Sequence, residues 1–115
     1  MSGTKGVLFH VNDGDAAKQR AALRNIENLL VEMPDMRVEL VIQGDAVNMA
    51  ARSQSRWPGE IQALQNKGVS TVVCLNSMKA SSLTESDLLP SMTIVPSAVG
   101  ELVLRQQEGM AYVKP

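Results

Sequence analysis

The stretch Lys67-Gly68-Val69-Ser70-Thr71-Val72-Val73-Cys74-Leu75-Asn76-Ser77-Met78-Lys79-Ala80 decides the fold. Val69 to Cys74 is an apolar run rich in β-branched residues, which reads as a buried strand. Leu75 to Ala80 then reads as the start of a helix. Lys67-Gly68 closes a preceding helix, with a cation in its last turn and a glycine able to take positive φ. The pattern is helix, strand, helix.

Working back from it, Pro58 suits the first turn of that preceding helix, and Ile61 and Leu64 give it an apolar face. Residues 46–52 read as a short helix capped by Asp45, after the turn Gln43-Gly44-Asp45. Residues 36–42 hold Val38, Leu40, Val41 and Ile42, a second strand. Glu39 in its middle suggests a place near a sheet edge or a subunit contact. Over residues 15–33, Ala22, Leu23, Ile26, Leu29, Leu30 and Met33 recur at three- and four-residue spacings, one face of a helix. Asp13 or Asp15 can cap it, and Pro34 ends it. Residues 6–11 read as the first strand.

Working forward, Thr84 and Asp87 form a capping-type pair in a helical turn. Residues 92–96 are a fourth strand. Ser97 caps a helix to about Glu108, with Val99, Leu102 and Val103 facing in and Gly109 closing it. Residues 110–113 are a short last strand. Alternating strands and helices predict a single α/β domain over residues 1–115, a three-layer sandwich. Its five-stranded sheet should be mainly parallel, with helices on both faces.

In such sheets ligands gather beyond the carboxyl ends of the strands. Here that rim carries His10 and Asn12, then Gln43 and Asp45, then Cys74, Asn76 and Ser77, then Ser97. The single cysteine and single histidine of the chain thus share one edge. A thiol at a strand-to-helix junction lies near backbone N–H groups that stabilise a thiolate. Such settings bring a thiol pKa from about 8.5 to roughly 3.5–7.5. The same position also suits a small buried residue without chemistry. His10 is read either as a hydrogen-bonded structural residue or as a group that steadies a thiolate or moves a proton near neutral pH. A Cys74/His10 nucleophile pair requires hydrogen-bond reach.

The remaining motifs resolve more simply. Asn12-Asp13-Gly14-Asp15 lacks the spaced oxygens and distal Glu of a calcium loop, so a turn and helix cap is expected. His10 and Cys74 fall short of a metal ligand set, and no phosphate loop or dinucleotide fingerprint is present, so neither metal nor cofactor is expected. Gly44-Asp45 can leave backbone N–H groups for an anion. Ser97 lacks a nucleophile-elbow sequence and reads as a cap. Met33, Met36, Met49, Met78 and Met92 read as core fillers or assembly contacts. The small, apolar stretch of residues 46–51 is expected to share in a subunit interface, with Arg56 and Trp57 as weaker candidates.

A net charge of −1 and 3% aromatic residues argue against nucleic acid as a partner. One cysteine rules out an internal disulfide and fits a reducing cytoplasm. No stretch approaches the roughly 20 apolar residues of a membrane span, and the polar opening Met1-Ser2-Gly3-Thr4-Lys5 does not read as a signal segment. A cytoplasmic protein without membrane contact is expected.

Several segments together carry a family likeness. They are Phe9-His10-Val11 with its Asp-rich turn, Leu23-Arg24-Asn25-Ile26-Glu27-Asn28-Leu29-Leu30, and Val41-Ile42-Gln43-Gly44. Lys67 to Cys74, Asp87-Leu88-Leu89-Pro90 and Arg105 to Tyr112 complete the set. In this order and spacing the chain resembles the DsrE/DsrF-like (YchN-like) superfamily, and within it the small homo-oligomeric members. The resemblance implies a five-stranded α/β sandwich assembled as a trimer, or as a hexamer built from two trimers. It also implies that Cys74 stands where relay members carry sulfane sulfur as a persulfide. No second, resolving cysteine is present, and Leu75-Asn76-Ser77-Met78-Lys79 departs from the small-residue run of relay subunits.

Two functions are therefore expected. In the first, Cys74 carries or transfers sulfur between protein partners, in a pocket lined by His10, Asn12, Gln43, Asn76, Ser77 and Ser97. In the second, the chain is a non-catalytic homo-oligomeric module that binds a small ligand or a protein, and Cys74 is unreactive.

Overall fold

A computed structural model describes residues 5–115. The polar opening of residues 1–4 lies outside the described residues. The elements run β1 (Val7–Val11), α1 (Ala16–Glu32), β2 (Val38–Ile42), a 3₁₀ segment (Gly44–Ala50), α2 (Pro58–Asn66) and β3 (Ser70–Cys74). They continue with α3 (Leu75–Ala80), a 3₁₀ turn (Glu85–Asp87), β4 (Met92–Val95), α4 (Ala98–Gln107) and β5 (Ala111–Val113). The strand order is β4-β3-β2-β1-β5, and every pairing is parallel.

This order follows from chain connectivity. Parallel neighbours need crossovers, and crossovers are right-handed. The steps β1 to β2, β2 to β3 and β3 to β4 move the same way across the sheet, so their helices fall on one face. The step from β4 to β5 returns to the opposite edge, so α4 falls on the other face. Packing bears this out. Ala22, Leu23, Ile26 and Leu30 of α1, Ile61 and Leu64 of α2, and Met78 of α3 share one cluster with Val7, Phe9, Leu40 and Val73. Leu102 and Ala98 of α4 share a smaller cluster with Leu8, Val41, Cys74 and Met110.

The local signals act as expected. Asp15 caps α1, its carboxylate accepting from the Lys18 N–H at 3.1 Å. Asp13 accepts from the Asp15 N–H at 2.8 Å, and this bond holds its carboxyl below the usual range. Pro58 occupies the first turn of α2, and Gly68 follows that helix at φ +94°. Thr84 and Asp87 form a capping box. Ser97 caps α4, accepting from the Gly100 N–H at 3.0 Å.

Three expectations are corrected. Glu39 sits at neither an edge nor an exposed contact; β2 is the central strand and Glu39 is buried. Residues 46–52 do not form an α-helix, and the 3₁₀ segment buries Ala46, Val47, Met49 and Ala50, with Ala51 after it, in the chain's own core. A tight 3₁₀ turn lets small residues pack directly on the sheet, which leaves little of them to meet a partner. On α4, Leu102 faces in, but Val99 is 60% and Val103 48% exposed. Val103 is followed by exposed Leu104, so this helix shows apolar side chains to solvent. Met33 is exposed beyond the end of α1, whereas Met49 and Met78 are buried, and Met36 and Met92 pack partly against the core.

Candidate functional site

The carboxyl ends of the parallel strands form one rim, and Cys74 is the last residue of β3 as well as the residue that starts α3. There is no linker between strand and helix, so the sulfur is held close to the first N–H groups of α3. From the other face, Ser97 turns the chain into α4 and brings the Ala98 N–H to the same sulfur. Burial pushes the Cys74 thiol up. Hydrogen bonds from the Ser77 hydroxyl and from the backbone N–H groups of Ser77, Ala98 and Asn76 outweigh it, and the thiol lies below its ordinary range.

The Ser77 hydroxyl is itself constrained. It accepts from the Gly44 N–H at 2.8 Å, which leaves its own proton free to point at the sulfur. Gly44 is at φ +59°, and a side chain there would also come within 3.3 Å of the Asn12 carbonyl oxygen. The tight turn after β2 is thus one of the supports of the thiolate.

A cleft of about 340 Å³ opens over this arrangement. Cys74, Gln43, Asn76, Ser77 and Ser97, all expected from sequence, line it together with Gly44, Asp45 and the exposed Val99. Cys74 is only 2% exposed, so its sulfur lies at the floor. Among the described residues no lysine, arginine or histidine lines this cleft.

His10 and Asn12 are not brought into it. His10 borders a neighbouring hollow with Val11, Asp13, Lys18 and Lys114. It stands on β1, two strands from Cys74, and parallel neighbours are spaced about 4.8 Å apart. Both of its ring nitrogens are engaged, Nδ1 with the Tyr112 hydroxyl and Nε2 with Gln43 Oε1, each at 2.7 Å. The Cys/His pair therefore does not form, and His10 reaches the cleft only through Gln43. Asn12 contributes its backbone beside Gly44 rather than its amide.

Three contributors were missed in the sequence. Ala98 acts through its N–H, which residue type does not reveal, although its place directly after a capping serine does. Tyr112 shares a face with His10, because Leu8 pairs with Tyr112 and His10 is two residues along the same strand. The third is Glu101, which pairs under α4 with Glu39, a residue the sequence singles out without a partner. Buried Glu39 is pushed up to about 8, chiefly by burial and then by Glu101. Glu101, hydrogen-bonded to Glu39 and to Arg105, is held low. Arg105 Nε lies 2.9 Å from Glu101 and 3.7 Å from Glu39. Glu39 Oε2 is a buried oxygen with no partner as a carboxylate; a proton held between the two acids supplies one.

Among the described residues no helix is long and apolar enough to cross a membrane. A solved protein of unknown function from Methanobacterium thermoautotrophicum, MTH1491, is 34% identical with a TM-score of 0.91, over 95% of this chain and 97% of that one. The YchN protein of E. coli shares the fold at a TM-score of 0.82 and 15% identity, over 96% and 97% of the two chains. No curated protein matches. Residues 5–115 match the DsrE/DsrF-like family. With that match spanning every described residue, the chain belongs to the DsrE/DsrF-like family, which is associated with sulfur relay.

Proposed function

We propose that this protein carries sulfane sulfur as a persulfide on Cys74, receiving it from a persulfidic donor and passing it to a protein acceptor. The observation that carries this reading is the set of donors around one sulfur, from Ser77, Asn76 and Ala98, which favours the thiolate in spite of burial. The thiolate is the nucleophile in sulfur exchange. It attacks the outer sulfur of R–S–SH. The donor S–S bond breaks as the new one forms, leaving Cys74–S–SH and R–S⁻. An acceptor thiolate R′–S⁻ then attacks the outer sulfur, yielding R′–S–SH and regenerating the Cys74 thiolate. No electrons are gained or lost overall. With one cysteine in the chain, the loaded form cannot collapse into an internal disulfide.

Assembly belongs to the same proposal. Val99, Val103 and Leu104 expose apolar surface along α4, and Val99 also lines the Cys74 cleft. A homo-oligomer, trimer or hexamer, working in the cytoplasm would cover this helix and enclose the cleft. The rival, a non-catalytic binding module, draws on the near-complete burial of the sulfur.

Intact-mass spectrometry after exposure to inorganic polysulfide separates the two. The expected result is a gain of one sulfur atom that disappears in Cys74→Ser. No adduct, or one that survives the substitution, favours the rival.

A further inference from the structure

His10 is a buried titratable group beside the Cys74 cleft that the sulfur chemistry above leaves unused. It is 8% exposed, and its two partners lie on either side of it. Their chemistry fixes more than the ring. Gln43 presents its carbonyl oxygen to Nε2, and an amide oxygen can only accept, so this bond is made by the tautomer with the ring proton on Nε2. In the neutral ring Nδ1 is then an acceptor, and the Tyr112 hydroxyl donates to it. Tyr112 stands on the edge strand β5, half-exposed, with its ring tilted at 54° to the imidazole. The donor sense therefore runs one way, from Tyr112 through His10 to Gln43.

Gln43 is the member of this series that lines the Cys74 cleft. With its oxygen committed to the ring, its NH₂ group is the end left to face the cleft that Gln43 lines. Among the described residues the cleft offers no cationic side chain to an anion. A persulfide is such an anion, and its negative charge sits on the outer sulfur, one bond further from the backbone donors that hold Cys74 Sγ. We propose that His10 and Tyr112 are positioning residues which fix the Gln43 carboxamide as a hydrogen-bond donor to the outer, anionic sulfur carried on Cys74. This rests on the persulfide reading above and extends it to a second sulfur atom.

If the Tyr112 hydroxyl is removed, nothing obliges Nδ1 to accept. The ring proton can move to Nδ1, Nε2 becomes an acceptor, and the Gln43 amide turns its NH₂ to the ring and its oxygen to the cleft. An acceptor then faces the anion where a donor stood.

Because the chain has a single histidine, ring ¹⁵N spectra of the whole protein report His10 without ambiguity. The wild type is expected to show the proton on Nε2, and Tyr112→Phe a loss of that preference. After loading with inorganic polysulfide, the persulfide is expected to be lost to added thiol about tenfold faster in Tyr112→Phe and in Gln43→Glu, the scale of one hydrogen bond to a charged group. Alkylation of the unloaded thiol in Tyr112→Phe should keep its pH profile, since the donors to Sγ itself are untouched. A merely structural role would leave the lifetime of the loaded form unchanged. A wild-type proton on Nδ1, or equal lifetimes in the wild type and both variants, overturns the proposal. Failure of the wild type to take up sulfur overturns the persulfide reading itself, and is seen at the loading step before any variant is compared.

Discussion

The two faces of the sheet are built from the same strands and do different work. The face under α1, α2 and α3 is filled by Phe9, Leu40, Ile42, Val73, Ile26 and Leu64. The face under α4 has one helix, a smaller apolar cluster, and the buried side chains of His10, Glu39, Glu101 and Cys74. Strand periodicity makes the separation possible, since neighbouring residues point to opposite faces. Phe9 and His10 are adjacent in the chain, as are Val73 and Cys74, yet each pair divides between core and chemistry. The first face stabilises the sheet; the second uses that rigidity to hold polar groups in a fixed relation.

The comparison breaks first if a core change on the α1 side disturbs the thiol. Ile26→Ala removes a fully buried side chain there. A loss of about 2–5 kcal/mol is expected in denaturant unfolding, with no change in the pH profile of Cys74 alkylation in the folded protein.

The next test addresses the acids under α4. Glu39 has its pKa raised from 4.5 to about 8 in the folded chain. Between those values the unfolded chain releases a proton that the folded chain keeps. The contribution of Glu39 is therefore complete below about 4.5 and is lost as pH rises through about 8. In Glu39→Gln this part of the decline is absent, so melting temperature should fall less from pH 5 to pH 8.5 than in the wild type. An identical decline in the two proteins would place Glu39 outside the pair.

A pair of helix caps sharpens the contrast further. Asp15→Ala and Ser97→Ala each remove a side-chain acceptor from a helix start, and each is expected to cost about 1 kcal/mol. Only Ser97→Ala should also raise the Cys74 pKa, because of these two helices α4 alone lends an N–H, that of Ala98, to the sulfur. Thermal melts and alkylation rates on the same two variants check both halves.

The smallest effect on the chain itself is expected at Val103→Ser. An exposed position of this kind changes stability within about 0.5 kcal/mol. If the α4 surface joins copies of the chain, sedimentation should nevertheless show a weakened oligomer.

Both faces were unevenly legible. The first was plain in the sequence, because a deep apolar core leaves periodic signals: 22, 23, 26 and 30 on α1, and continuous runs on the strands. Cys74, Gln43, Asn76, Ser77 and Ser97 were also legible, since parallel strands bring every carboxyl end to one rim. His10 was placed on the correct rim and given the wrong neighbour. Sequence order says which strand end a residue occupies, but strand order in the sheet decides how far it stands from another. The outward Val99 and Val103 were misread because a helix covering one face alone buries a narrow stripe, and apolar residues beside that stripe carry the same period. The donors from Gly44 and Ala98 are backbone groups, which every residue type shares. Glu39 was noticed as an anomaly within an apolar strand, but its partner lies on a helix more than sixty residues away.

The central claim is that the donors of α3 and α4 hold the Cys74 thiol, at the floor of its cleft, below its ordinary range. The rate of alkylation by iodoacetamide, followed against pH on the native protein, tests it directly. The midpoint should fall below the value of about 8.5 for a free cysteine thiol. A midpoint at or above that value would show that burial outweighs the donors from Ser77, Asn76 and Ala98, and would contradict the claim.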